Sequence, residues 1–154
     1  MSRTDPGIDD SRWRKVFFRL EPDEDGYPPA SCESMWAIEL ANGHYRIENI
    51  PFFAVGVSYG DVVEAQTTTD SMDFVRVVSP SKHSTIRLIV FDSAKVAAVR
   101  EKVSSFGCDS ERSHLPRLIA IDVPPQADIA GVDAFLIEGI EDGMFDVEMS
   151  NVWW

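Results

Sequence analysis

No stretch of this 154-residue chain approaches the run of about 18 apolar residues that a membrane-spanning helix needs. Residues 1–10 are polar and acidic and lack the apolar centre of a secretory signal. These two absences give the expectation of a cytoplasmic protein that does not enter a membrane. Cysteine is scarce. Cys32 and Cys108 stand far apart, so they do not form a cysteine-rich zinc site, which needs ligand pairs at short spacing. A disulfide between them is disfavoured in a reducing cytosol, and both are expected to be buried or idle thiols. The sequence contains no phosphate-binding G-x-x-x-x-G-K, no G-x-G-x-x-G, no H-x-x-x-H and no C-x-x-C. Nucleotide binding and transition-metal ligation therefore lack motif support. No cofactor or metal is expected.

Basic residues are also scarce. Lys and Arg number 14 against 26 Asp and Glu, for a net charge of −12. After Arg117 there is no Lys, Arg or His, while Asp122, Asp128, Asp133, Glu138, Glu141, Asp142, Asp146 and Glu148 follow. A surface of this sign repels phosphate, so direct nucleic-acid binding is disfavoured. The same surface attracts a basic partner and speeds their encounter. A soluble, solvated face is the alternative reading of the same charges.

Apolar residues, a proline and two glycines are densest at residues 48–64. Pro51 cannot donate a backbone hydrogen bond and pushes Ile50 toward extended geometry, so a direction change is expected there. Phe52 and Phe53 are adjacent and cannot share one strand face. Tyr59-Gly60-Asp61 reads as a turn into a strand beginning at Val62. Asn49, Tyr59 and Asp61 are either a polar site around a bent loop or turn residues bonding nearby backbone. The run Asn49-Ile50-Pro51-Phe52-Phe53 with Tyr59-Gly60-Asp61-Val62-Val63 resembles the signature of an uncharacterised bacterial family, catalogued as a domain of unknown function. Glu33-Ser34-Met35-Trp36 and Gly43-His44-Tyr45-Arg46 fit the same pattern, and the resemblance spans about residues 15 to 150. It implies a single bacterial domain and transfers no activity.

Along the chain, residues 1–11 are expected to be disordered. Residues 14–20 alternate, with Val16, Phe18 and Leu20 on one side. Asn42-Gly43 marks a hairpin between strands at 33–40 and 44–48. Trp36, Ile38 and Leu40 form one face of the first of these strands, opposite Met35, Ala37 and Glu39. Further strands are expected at 62–68 and 72–78, giving a β-meander that curls into a small barrel over 12–80. From Thr85 the period changes. Residues 86–91 and 118–123 read as buried strands. Val96, Val99, Val103 and Phe106 mark one helix face, and Ile129, Val132, Leu136 and Ile140 another. Residues 144–149 alternate again. The fold class is therefore α+β: a β-rich lobe, then a ferredoxin-like β-α-β-α-β lobe over 81–154, with 72–78 as a hairpin partner of its sheet. Trp36, Ile38, Phe52, Val62, Ile86, Leu88, Val90, Val99 and Leu118 are expected in the core.

The acidic loop at Asp23, Glu24 and Asp25 carries oxygens but lacks the ligand spacing of a calcium loop. His44, His83 and His114 are each expected to be exposed or satisfied rather than catalytic. Three function classes follow. The leading expectation is a non-enzymatic acidic binding protein, an immunity protein that neutralises a basic toxin domain by occluding its cleft. That expectation rests on a class-level resemblance to small, acidic bacterial domains. Its candidate partner-binding residues are Asp23, Glu24, Asp25, Asp128, Asp133, Glu138 and Glu141. The alternatives are a small-molecule-sensing domain and an enzyme with its site in the loop from Asn49 to Asp61.

Overall fold

A computed structural model describes residues 10–154, and the chain divides into two units, Met1–Ser81 and Lys82–Trp154. Most of the expected disordered start lies outside the described residues. Its last two residues, Asp10 and Ser11, lie in the short 3-10 turn Asp10–Arg12.

In the first unit five strands follow one another: β1 (Trp13–Arg19), β2 (Cys32–Glu39), β3 (Tyr45–Ile47), β4 (Val62–Thr67) and β5 (Met72–Ser79). Each pairs antiparallel with the next, and the parallel pair of Phe17 with Asp73 closes the barrel. Two register shifts along β4 supply the bending that closure needs. The interior holds Val16, Phe18, Leu20, Met35, Ala37, Tyr45, Ile47 and Val63, with Ala54 and Val57 from the long loop before β4.

Register decides which side of each strand faces in. Val16 lies opposite Met35, and Lys15 lies opposite Trp36. Directly opposed residues share a face. With Val16 inside, Met35 must be inside and Trp36 outside. Trp36 is accordingly 37% exposed, which corrects its expected place in the core. Its ring meets Trp13 edge-on, with centroids 6.3 Å apart. Val62 is half-buried for the same reason, because its neighbour Val63 takes the inward position opposite Tyr45. Phe52 is also only half-buried, since it lies in a turn rather than a strand. The other six residues expected in the core, Ile38, Ile86, Leu88, Val90, Val99 and Leu118, are buried.

In the second unit the order is β6 (Ser84–Val90), α1 (Val96–Ser105), β7 (Asp109–Arg112), β8 (Leu118–Val123), α2 (Ile129–Glu141) and β9 (Phe145–Asn151). The sheet runs β7-β8-β6-β9 and every pair is antiparallel. Ile86, Leu88 and Val90 of β6 and Ile119, Ile121 and Val123 of β8 share one core with Val96, Val99 and Val103 of α1 and Val132 and Leu136 of α2. Both helices therefore cover the same sheet face. The opposite face carries Thr85, Arg87, Ala120 and Asp122, all buried, and Arg87 bonds Glu148 through Nε at 2.9 Å.

Two expectations fail here. Residues 72–78 belong to β5 and pair with β4 and β1, so they are not a hairpin partner of the second sheet. That sheet takes its fourth strand from β7, which was not anticipated. β7 reads Asp-Ser-Glu-Arg and has no apolar alternation to announce it. A short charged strand at a sheet edge also discourages pairing with other chains.

Candidate interaction surface

Asp128 starts α2 by accepting the Gly131 N–H at 3.0 Å, the bond an N-cap side chain makes. Val132, Leu136 and Gly139 are buried, and a Cβ on Gly139 would overlap the Phe145 ring. A glycine is needed there so that the helix can lie against β9. The helix carries more apolar residues than this seam can take. Ile137 and Ile140 are left 59% and 54% exposed, beside exposed Glu138 and Glu141. Asp133, Ile137 and Ile140 are spaced by four and three residues and so lie along one side of α2.

Beyond β9 the chain returns to this flank. The Trp154 indole N–H donates to Asp133 Oδ1 at 3.0 Å, and the Trp153 backbone N–H donates to Ser84 Oγ at 3.0 Å. Both tryptophans remain over two-fifths exposed. Together with Val123, Pro124, Pro125 and Ile129 they line a cleft of about 190 Å³. Lys82 reaches the same cleft, with Nζ 5.1 Å from the Trp153 ring centroid. The result is an apolar, aromatic strip flanked by carboxylates. Contiguous exposed apolar surface rimmed by polar groups is characteristic of interaction sites, and tryptophan is enriched among residues that dominate binding energy.

The candidate acidic residues fall in both units. Asp23, Glu24 and Asp25 are exposed in the β1–β2 loop of the first. Asp23 is occupied there, since its Oδ1 accepts the N–H groups of Asp25 and Tyr27 at 2.9 and 3.0 Å. In the second unit Asp128 caps α2 and Asp133 holds Trp154. Glu138 and Glu141 have no side-chain hydrogen bond or ion pair among the described residues. Sequence reasoning missed Ile137 altogether and read Ile140 as marking a helix together with Ile129, Val132 and Leu136. The available signal was the excess of apolar residues around α2, too many for one helix stripe.

The long loop before β4 spends its polar groups on backbone. Glu33, at the barrel end, accepts N–H groups from Phe52, Phe53 and Ala54 at 2.7, 3.0 and 2.8 Å. Asn49 Oδ1 accepts the Trp36 N–H at 2.7 Å. Tyr59 donates its hydroxyl to Glu48, which also pairs with Arg46. Asp61 is 1% exposed and accepts the Ser58 and Ser81 N–H groups and the Ser81 hydroxyl, all within 2.9 Å. Asn49 and Asp61 are thus turn-binding residues. Of the three histidines, His83 places Nδ1 2.9 Å from the buried Asp122 carboxylate, His44 is half-buried by the hairpin turn and His114 is exposed. Cys32 and Cys108 are both free; Cys32 is exposed and Cys108 buried. Burial, then the Asp122 and Asp128 charges, push the Cys108 thiol up from 9.0 to about 11. Among the described residues no three His, Cys, Asp or Glu side chains gather as a metal site would require, and no helix is long and apolar enough to cross a membrane.

The family described as "Domain of unknown function (DUF4265)" matches residues 33–147. No curated protein matches the chain. Among solved structures, a hypothetical protein from Neisseria gonorrhoeae is similar, with a TM-score of 0.78 over 92% of this chain and 96% of that one. The two are 15% identical, so the likeness is one of fold.

Proposed function

The chain belongs to the DUF4265 family, whose description assigns no activity, and from its own surface we propose that it is a binding protein for a basic protein partner. The observation that carries this is the outer flank of α2, where exposed Ile137 and Ile140 stand beside the unpaired carboxylates of Glu138 and Glu141. Apolar anchors supply affinity, and the surrounding negative charge selects a positive partner and accelerates its approach. The lack of any basic residue after Arg117, in a chain of net charge −12, extends that field over α2 and β9.

The finer version is an immunity protein. A toxin domain that acts on nucleic acid needs a positive cleft for phosphate, and an acidic protein seated in that cleft excludes the substrate. A cytoplasmic site of action belongs to this reading, and two free thiols, one of them exposed, suit a reducing compartment. The sheet order β7-β8-β6-β9, antiparallel throughout and with both helices on one face, supports reading the second unit as ferredoxin-like.

The test is to capture partners of the tagged chain from its own cells, purify what is captured, and measure association against salt. Glu138→Lys with Glu141→Lys should slow association and flatten its salt dependence while the fold survives. Binding indifferent to salt and to both reversals removes the electrostatic mechanism. Turnover of a metabolite by the isolated chain removes the class.

A second reading has one observation in its favour. A groove of about 680 Å³ beside the closing pair of the barrel is lined by Phe17, Arg19, Ser31, Cys32, Ser71 and Asp73. Its volume falls within the range of small-molecule sites. Under this reading, a metabolite screen finds a compound that raises the melting temperature, and Arg19→Ala abolishes that gain.

A further inference from the structure

We infer that the Trp153–Trp154 cleft is a receptor for an arginine side chain of the basic partner, and that Lys82 occupies it in the free protein. This rests on the binding reading above and names the group it recognises. The cleft is walled by two indoles, and an indole face attracts a cation through its quadrupole. That attraction already operates within the chain, since Lys82 Nζ lies 5.1 Å from the Trp153 ring centroid. Lys82 is brought there by an uncommon backbone. Its φ is +67°, and among the described residues it is the one non-glycine with positive φ. An L side chain is disfavoured in that region, so the surrounding structure must hold it there.

A carboxylate completes the receptor. One oxygen of Asp133 accepts the Trp154 indole N–H at 3.0 Å, and the other has no hydrogen-bond partner among the described residues. That bond fixes the indole as a wall and places a negative charge against it. An ammonium is a compact point charge that rests over a single ring. A guanidinium is planar, so it stacks on an indole and still presents N–H groups sideways to a carboxylate. The chemistry of the cleft therefore favours arginine over the lysine already there. Arginine entry releases Lys82 to solvent, where its hydration offsets part of the exchange.

The experiment uses the full chain labelled with nitrogen-15, titrated with N-acetyl-arginine amide and separately with N-acetyl-lysine amide. Indole N–H signals are assigned through Trp153→Phe and Trp154→Phe. The arginine probe should shift the Trp153 and Trp154 signals and leave those of Trp13 and Trp36 in place, and the lysine probe should shift them less. Lys82→Ala removes the resident cation and should tighten the arginine probe by roughly two- to fivefold, the worth of one exposed cation–π contact. Asp133→Asn keeps an acceptor for the Trp154 indole but loses the charge, and should erase the preference for arginine. Backbone amide spectra of both variants report whether the fold is kept. Absence of indole shifts, equal response to both probes, or unchanged affinity in Lys82→Ala overturns the assignment. If arginine enters the cleft but no basic protein binds the chain, the partner reading fails and the receptor stands. If a basic partner depends on Glu138 and Glu141 yet ignores Asp133→Asn and Lys82→Ala, the receptor fails and the partner reading stands.

Discussion

The barrel of the first unit and the sheet of the second satisfy their buried backbone by different means. In the second, strands of six and seven residues pair in long registers between β6, β8 and β9, and two helices bury one apolar face. At its helix starts Asp92 and Asp128 accept N–H groups. The barrel has a three-residue strand, one closing residue pair, and a loop of 14 residues from Glu48 to Asp61 between β3 and β4. Few ladder partners exist for that loop, so its N–H groups need side-chain acceptors. Glu33, Asn49 and Asp61 supply them. The long loop of the barrel is thus held by polar stitches, and the sheet of the second unit by apolar burial.

The comparison breaks most visibly in a pair of substitutions. Leu88→Ala, at a fully buried position of β6, should cost about 2–5 kcal/mol through lost burial and a cavity. Glu33→Ala keeps every apolar contact of the barrel core but removes the carboxylate acceptor of three N–H groups in a partly buried loop. At about 1–3 kcal/mol for each donor left without a partner, and less where water reaches it, the cost should be about 2–4 kcal/mol. Denaturant unfolding measures both. Hydrogen exchange then separates them, because residues 52–54 should lose protection in Glu33→Ala and keep it in Leu88→Ala. A cost near zero for Glu33→Ala would sink the stitched-loop account.

Next in size is a linkage effect. The Cys108 thiol is held neutral in the fold, with its pKa pushed to about 11 from 9.0. Between those values the unfolded chain releases its proton and the folded chain does not. Stability is therefore whole below about pH 9 and falls as pH rises toward about 11. A shift of that size is worth up to about 2–3 kcal/mol. Cys108→Ala should flatten this alkaline loss, measured as melting temperature against pH, and an unchanged profile would refute the cause. A thiol reagent at neutral pH should modify exposed Cys32 first and reach Cys108 only on opening.

Gly139→Ala follows, at about 1–3 kcal/mol, because the added methyl must push the Phe145 ring or lift α2 from β9. This variant tests whether the interaction surface depends on helix seating. Partner binding should weaken along with stability.

Legibility differed between the units for physical reasons. The alternation at Val16, Phe18 and Leu20, the turn at Asn42-Gly43 and the apolar runs of β6 and β8 are local patterns, and the observed elements follow them. Pairing is not local. Nothing within residues 72–79 says whether β5 joins the barrel or the second sheet. β7 has no apolar residue to betray it. The inward face of β2 depended on register with β1, which reversed the expectation for Trp36. At the surface, the sequence marks carboxylates but not their employment. Asp23, Asp128 and Asp133 each bind a neighbouring N–H, so only Glu138 and Glu141 of the second unit's set remain free for a partner. The exposed flank at Ile137 and Ile140 was hidden because apolar residues are ordinarily assigned to a core.

The smallest effect is the sharpest on the comparison. Asn49 makes one bond, from the Trp36 N–H to its Oδ1 at 2.7 Å, while the adjacent Glu48 N–H donates to the Trp36 carbonyl at 2.9 Å. Side chain and backbone together extend the β2–β3 pairing one step past the end of β3. Asn49→Ala removes the side-chain half and leaves the backbone half. Trp36 is exposed enough for water to take the vacant N–H, so the loss should match that of a helix cap, about 0.5–2 kcal/mol. Asn49→Asp keeps the acceptor and should recover most of it. If Asn49 served a reaction or a ligand, Asn49→Ala would lose function at an unchanged melting temperature. A stitch predicts the reverse: a lower melting temperature, faster exchange at the Trp36 amide, and partner affinity preserved wherever the chain is folded.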